Sequence, residues 1–293
     1  MYTDPLLARI RSLFSPLSPE PTDTLPELGE LEGISAVLFD VYGTLLISAS
    51  GDIGLARDAA DQTTLGSLLD SADLPAPASD DAFADADALI RAEIKTEHTR
   101  ARARGIDFPE VDILSLWQRV LSRRGIRTSA QQLRRIALEY EARSNAVWPM
   151  PGLAELLERL HGRGLVLGIV SNAQFYTSQI LEAFLGSPPA ALGLDPDCSA
   201  WSYQLGVAKP AQAIYRPALD GLRQKHGIEP AQVLYIGNDR RNDIWPASKL
   251  GMCTALFAGD ARSLRLRLDD PDLVGVKADR VVTALAQIPQ LLA

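Results

Sequence analysis

The chain has 293 residues and a formal net charge of −8, from 29 Lys and Arg against 37 Asp and Glu. That balance argues against nucleic acid, whose phosphates need a basic surface, but leaves room for a small anionic substrate in a local basic pocket. Two cysteines exclude a disulfide scaffold and a thiolate zinc site and suit a reducing cytoplasm, and no apolar run approaches the roughly 18 residues of a membrane span.

Residues 4–14 read as a short amphipathic helix, and the Pro- and Ser-rich stretch Ser15–Pro26 as a linker. This leader leaves a mobile tail and a packed arm both open. The first strand is ISAVLFD, residues 34–40, whose continuous apolar run suits burial on both faces. Further strands are expected at 165–170, 233–236 and 252–257, with a shorter one at 279–282. Helical patterns separate them, as in PGLAELLERLHGRG, which predicts a parallel sheet with right-handed crossovers.

The stretch between Gly51 and Val147 breaks that alternation. It lacks strand runs and carries helical spacing in DALIRAEIKTEHTRARARG, VDILSLWQRVLSRRG and SAQQLRRIALEYEARS. The expected organisation is therefore a leader (1–33), an α/β core (34–50 and 148–293) and an all-helical insertion (51–147). The core is a doubly wound, Rossmann-like parallel sheet. ISASGDIG, residues 47–54, reads as a short hairpin at the entry to the insertion, and two prolines near 149–151 stiffen the return.

Polar residues follow strand after strand, where open α/β sheets bind ligands. Asp40 ends the first strand beside Tyr42-Gly43-Thr44, rigidly held as a covalent nucleophile must be; the alternative is a turn cap. Ser171 and Asn172 end the second and suit an anion or a helix cap. Lys209 precedes Pro210 in GVAKPAQAIY, a positioned cation or a surface charge. Asn238, Asp239 and Asp243 follow the third strand in YIGNDRRND and suit a hard cation such as Mg²⁺, or capping with ion pairs to Arg240 or Arg241.

Taken together and in order, FDVYGTLL, IVSN, AKPAQAIY and YIGNDRRND resemble the four motifs of the haloacid dehalogenase-like hydrolases, over about 34–52 and 147–285. The resemblance implies an aspartate-nucleophile hydrolase with a helical cap. Asp40 would attack the substrate, Thr44 and Ser171 would bind the transferring group, and Lys209 would offset charge. The Tyr42 carbonyl and an acid of the fourth motif would hold Mg²⁺. Two departures pull in opposite directions. The phosphatases of the family carry a second Asp where this chain has Tyr42, and a phenol of pKa ~10 is a poor acid near neutral pH. The dehalogenases release halide and need no such acid, and Tyr215 sits where they carry a tyrosine. Against that, Asn238 with Asp239 and Asp243 looks like a metal site, and no residue matches the dehalogenase halide-binding Arg; Arg57 is misplaced for it. The sequence thus favours a Mg²⁺-dependent phosphatase acting on a small anionic ester. A metal-free 2-haloacid dehalogenase is the alternative, and a binding protein without catalysis a third reading.

In the helical insertion, Lys95, His98 and Arg102 share one helical face, either a substrate-facing cationic surface or a solvated stripe paired with Glu93 and Glu97. Trp117 and Trp148 are expected to pack rather than to bind substrate.

Overall fold

The computed structural model describes residues 4–49, 63–77 and 80–293. α1 (Pro5–Leu13) starts where the sequence places an Asp before a Pro: the Asp4 carboxylate accepts the Leu6 N–H at 2.9 Å, and Pro5 lacks the N–H that a first turn leaves unpaired. β1 (Ala36–Phe39) is buried at every position. Val37 and Phe39 join one apolar cluster, whereas Ala36 and Leu38 join the other. The period-two alternation of the strand thus divides two covered faces, which is why its sequence reads as an unbroken apolar run.

Among the described residues, β2 (Leu46–Ser48) is followed by four α-helices: α2 (Leu65–Ser71), α3 (Ala86–Ala103), α4 (Ile113–Ser122) and α5 (Ala130–Ser144). Each has a side-chain cap, from Thr64, Asp85, Asp112 and Ser129, and Ser129 with Gln132 closes a capping box. The chain returns through β3 (Val147–Pro149), which runs antiparallel to β2 in the register Leu46↔Pro149, Ile47↔Trp148 and Ser48↔Val147. The described part of the expected hairpin therefore pairs with the returning strand. Its turn, from Ser50 onward, and Arg57 lie outside the described residues. A two-stranded ribbon ties the entry of the helical insertion to its exit.

The remaining elements alternate: α6 (Leu153–Gly162), β4 (Val166–Ser171), α7 (Tyr176–Leu185), β5 (Ala200–Trp201), α8 (Ser202–Leu205), α9 (Arg216–His226), β6 (Val233–Gly237), α10 (Trp245–Lys249), β7 (Cys253–Phe257) and β8 (Arg280–Val282). One six-stranded sheet results, in the order β5-β4-β1-β6-β7-β8, with every pair parallel. All five core strands expected from the sequence are present. β5 is an addition, only two residues long and without a readable periodicity. α6 and α7 cover the face of Val37 and Phe39, and α9 and α10 cover that of Ala36 and Leu38. Crossovers leave β1 toward β5 and then return through β6 toward β8, so the strand order reverses between β1 and β6. A doubly wound sheet opens its crevice at such a point. No described helix is long and apolar enough to cross a membrane.

The leader is a packed arm. Leu7, Ile10 and Phe14 enter the larger apolar cluster, with the Phe14 ring 6.1 Å from that of Phe184 on α7. Arg9 pairs with the buried Glu139 of α5 at 2.5 Å, and Arg11 donates to the Ala183 carbonyl at 2.7 Å. α1 thus touches both the helical insertion and the core. Farther on, Glu27 N–H donates to Val281 O at 2.9 Å and Leu31 N–H to Leu291 O at 2.7 Å. Trp117 is wholly buried against Tyr140, and Trp148 packs tilted against Phe184, with ring centroids 4.8 Å apart; both pack as expected. Replacing Ile10 by Ala removes a side chain with no solvent exposure. It is expected to lower unfolding stability by about 2–5 kcal/mol in urea titration, whereas a mobile leader would leave the midpoint unchanged.

Candidate active site

The loops after β1, β4 and β6 and the segment before α9 meet at the point of strand reversal. Asp40 extends β1: its N–H donates to Ile236 O at 2.9 Å, which holds the residue in the sheet while its carboxylate leaves it. One oxygen, Oδ1, accepts from Ser171 Oγ at 2.8 Å and from Lys209 Nζ at 2.6 Å. The ammonium also reaches Asp243 Oδ1 at 2.6 Å and the Tyr235 hydroxyl at 3.3 Å. Lys209 is therefore a buried cation between two buried carboxylates, not a surface charge. With both carboxylates ionised, the single ammonium leaves one negative charge uncompensated.

Several bonds fix this arrangement. The Lys209–Pro210 peptide is cis, and Lys209 N–H donates to Asn172 Oδ1 at 2.8 Å. The Tyr235 hydroxyl donates to Val170 O at 2.8 Å, and Tyr215 donates to Asn242 O at 2.8 Å. Asp243 Oδ2 accepts the Asp239 N–H at 2.9 Å. Burial raises the Asp243 carboxyl above its ordinary range; Lys209 opposes the rise, and the nearby Asp40 and Asp239 charges add to it. Burial disfavours the Lys209 ammonium, but the two carboxylates outweigh it and raise its pKa.

The fourth motif divides. Asp243 joins the lysine, but Asp239 does not. Its carboxylate caps the wide turn at Arg240–Ile244, accepting Arg241 N–H at 2.8 Å, and it pairs with Arg267 Nη2 at 2.6 Å. The capping alternative therefore holds for Asp239, with Arg267 as its ion-pair partner instead of Arg240 or Arg241. Asn238 lies between strands and turn: Nδ2 donates to Ser263 O at 2.5 Å, and Oδ1 accepts from Thr44 Oγ1 at 3.4 Å. Thr44 is wholly buried behind it. Gly43, at φ 81°, has Asn238 Nδ2 only 2.5 Å from where a Cβ would stand; both the positive φ and the contact require glycine. Neither Ser171 nor Asn172 caps α7, which begins at Tyr176.

The crevice holds about 70 Å³ and is lined by Asp40, Tyr42, Asn172, Lys209, Asn238 and Asp243 together with Ser48, Asp239, Asn242 and Arg265. Ser48, Asn242 and Arg265 are the lining residues that motif reading missed. Arg265 sits in the loop after β7, and the rule that site residues follow strand ends would have pointed there. No described residue of α2–α5 lines the crevice. Lys95 and Arg102 are exposed on α3, whose Glu97 and Glu93 pair instead with Arg100, Arg104, Arg119 and Arg123. Lys95 and Arg102 are thus solvated but not paired with Glu93 or Glu97, and His98 between them is half-buried.

The helical insertion is nonetheless docked on the site. Ala208 N–H donates to Phe108 O at 2.8 Å and Glu110 N–H to Gly206 O at 3.1 Å, just before Lys209. Gln174 holds Val111 O at 2.8 Å and Ile113 N–H at 3.0 Å. Glu141 on α5 is buried beside the mouth, accepting from Tyr176 OH at 2.7 Å and Asn145 Nδ2 at 3.3 Å, while Ser48 donates to Asn145 Oδ1 at 2.8 Å. The Tyr42 hydroxyl is 2.9 Å from Thr177 Oγ1. Burial first, and then the Glu141 charge, push its pKa far above the ordinary phenol value. Tyr42 lines the crevice, and its phenol is a still poorer acid than an exposed one.

Burial raises the pKa of Glu141 itself, more than its hydrogen bonds lower it. The folded state then holds a proton that the unfolded chain releases near the ordinary value of 4.5. The contribution to stability is complete below that pH and is lost as pH rises through the higher folded value. Glu141→Gln is expected to flatten the fall in urea midpoint between pH 5 and pH 7.5; an unchanged pH slope would contradict this.

A family model described as haloacid dehalogenase-like hydrolase matches residues 34–251. Among solved structures, a dehalogenase with an intermediate complex is 21% identical, with a TM-score of 0.51 over 90% of this chain and 99% of its own. A predicted phosphoglycolate phosphatase from Haemophilus somnus is 19% identical, with a TM-score of 0.47 over 89% of this chain and 98% of its own. An L-2-haloacid dehalogenase from Xanthobacter autotrophicus, with chloropropionic acid covalently bound, is 20% identical, with a TM-score of 0.47 over 88% and 97%. No curated protein matches the chain by sequence. At these identities the structural likeness concerns the fold alone.

Proposed function

The chain belongs to the haloacid dehalogenase-like hydrolase family, and we propose that it is a Mg²⁺-dependent phosphatase of small phosphate esters with Asp40 as nucleophile. The observation that carries this reading is the state of the Asp40 carboxylate: one oxygen is pinned by Lys209 and Ser171, and the other accepts no hydrogen bond from the described residues. A buried acid held by one oxygen presents the other for attack. Residues 51–147 serve as the cap on a core of 34–50 and 148–293, with 1–33 as the arm. The cysteine count keeps a reducing cytoplasm as the proposed compartment.

The donors present fit Mg²⁺. Asp40 Oδ2, the Tyr42 carbonyl and Asn238 Oδ1 are hard oxygens carrying one negative charge among them, and the uncompensated charge beside Lys209 favours a cation. Mg²⁺ commonly takes one or two carboxylates and keeps several waters. In this reading Asn238 takes the ligand place, because the oxygens of Asp239 are engaged by Arg267 and by backbone N–H groups, and Asp243 acts through Lys209. When bound, the metal would reduce repulsion between the anionic nucleophile and the anionic phosphate.

Asp40 attacks phosphorus, the ester P–O bond breaks, and the leaving oxygen departs with the bonding pair. Water then attacks the phosphorus of the aspartyl phosphate, its proton passes to solvent, and phosphate and free Asp40 result. Asn172, in the crevice lining, orients the phosphoryl oxygens, and the wholly buried Ser171 acts through its hydrogen bond to Asp40. Thr44 supports Asn238 from behind instead of touching substrate. Lys209 offsets charge on Asp40 throughout. No carboxylic acid stands where Tyr42 is, so the leaving group must depart without a strong proton donor.

The same Tyr42 favours a second reading, the 2-haloacid dehalogenase, in which Asp40 displaces halide from carbon and no proton is needed. Purified protein with Mg²⁺ is expected to hydrolyse 4-nitrophenyl phosphate, and chelator or Asp40→Asn is expected to abolish the activity. Chloride released from 2-chloropropionate in the presence of chelator would establish the dehalogenase instead, and neither activity would leave a binding protein. For the phosphatase, rates across a series of phosphate esters are expected to fall steeply as the leaving-group pKa rises from about 7 to about 15, the range from acidic phenols to alcohols. A flat dependence would require an acid in the site.

A further inference from the structure

We propose that Arg265 binds a second anionic group of the substrate, so that the preferred substrates are phosphate esters bearing a carboxylate or a further phosphate; this rests on the phosphatase reading above. Among the described residues, Lys209 and Arg265 are the two cations in the crevice lining beside Asp40. The first is committed, its ammonium shared between Asp40 and Asp243. The second is not. The neighbouring arginines are each engaged: Arg262 pairs with Asp260 at 3.0 Å, Arg267 with Asp239 at 2.6 Å, and Arg241 pairs with Asp270. Arg240 spends its guanidinium on the carbonyls of Leu266, Leu273 and Val276. Arg265 makes no ion pair among the described residues.

Its position is nevertheless fixed. Arg265 N–H donates to Asn238 O at 3.0 Å, and Arg240 N–H donates to Arg265 O at 3.0 Å, which stitches its backbone to the fourth motif. Nη1 donates to Arg262 O at 2.9 Å and Leu264 O at 3.1 Å. Two backbone carbonyls hold one edge of the guanidinium without neutralising it, and the remaining donors are left for a ligand. A half-buried, pre-positioned guanidinium with no carboxylate partner suits the bidentate recognition of carboxylate or phosphate oxygens. The charges agree. Asp40 and Asp243 share Lys209, Arg267 neutralises Asp239 from outside the lining, and Arg265 balances the one charge that Lys209 leaves over, so the group is neutral before a metal and would be cationic with one, as a substrate with two anionic groups requires.

The test compares 4-carboxyphenyl phosphate with 4-carbamoylphenyl phosphate, and phosphonoacetate with methylphosphonate, on wild type, Arg265→Gln and Arg265→Lys. Both pairs differ chiefly by one carboxylate. Wild type is expected to prefer the carboxylated member at least roughly tenfold, in kcat/KM and in calorimetric affinity with Mg²⁺. Arg265→Gln, which retains an amide to meet the backbone carbonyls, should bring both ratios near one, and Arg265→Lys should retain part of them. A ratio near one in wild type, or a preference that survives in Arg265→Gln, overturns the proposal even if phosphatase activity is present. If no phosphate ester is hydrolysed but phosphonoacetate is preferred and Arg265→Gln removes the preference, the anion site stands and the phosphatase reading falls.

Discussion

The arrangement depends on one ammonium placed between two buried carboxylates. Lys209 reaches Asp40 and Asp243 at 2.6 Å each, with its side chain only 3% exposed. Such a contact has to be built into the fold, because a buried charge that loses its partner costs about 3–5 kcal/mol. Each participant is accordingly tied to a different strand end. Asp40 continues β1, Asp243 follows β6 and is held by the Asp239 amide, and Lys209 is clamped by Asn172 from the end of β4. The parallel sheet and its reversal between β1 and β6 are what bring these ends together. Without the covered faces that bury β1 completely, the carboxylate would be neither rigid nor shielded from water.

The same economy explains the neighbours. In the proposed reading, Lys209 leaves one negative charge uncompensated, so a cation would be favoured at the free oxygen of Asp40, with neutral oxygens of Tyr42 and Asn238 completing its surroundings. Asp239 is free to serve as a cap and to anchor Arg267. Arg265, stitched to Asn238 on one side and Arg240 on the other, remains available to an anionic ligand. The helical insertion fastens to the loop that carries Lys209, through Phe108 and Glu110, and to Gln174 at the start of the α7 region. α1 reinforces that union by touching both α5 and α7.

Much of this was legible in the sequence for physical reasons. Strands buried on both faces read as apolar runs, and the helices between them read as periodic, so the sheet and the helical insertion could be anticipated. That Asp40, Ser171, Lys209 and an acid of the fourth motif would share one crevice followed from motif order. Side-chain allocation was not legible. Nothing in GNDRRND says that Asp239 turns to the backbone of Arg241 and to Arg267 while Asp243 turns to Lys209, since both acids have the same local chemistry and their partners come from 28 and 34 residues away. Arg265 was invisible because SLRLR carries no motif and its value lies in what it does not pair with. The pairing of β2 with β3 joins segments about 100 residues apart, which no local turn signal reports.

In the phosphatase reading Asp40 becomes phosphorylated during turnover. The most direct measurement is mass spectrometry of the acid-quenched protein during turnover of an aryl phosphate with Mg²⁺. The peptide containing Asp40 is expected to gain one phosphoryl group, and the Asp40→Asn variant is expected not to. Turnover with that peptide unmodified, or an alkyl ester on Asp40 after incubation with a 2-haloacid, would contradict it.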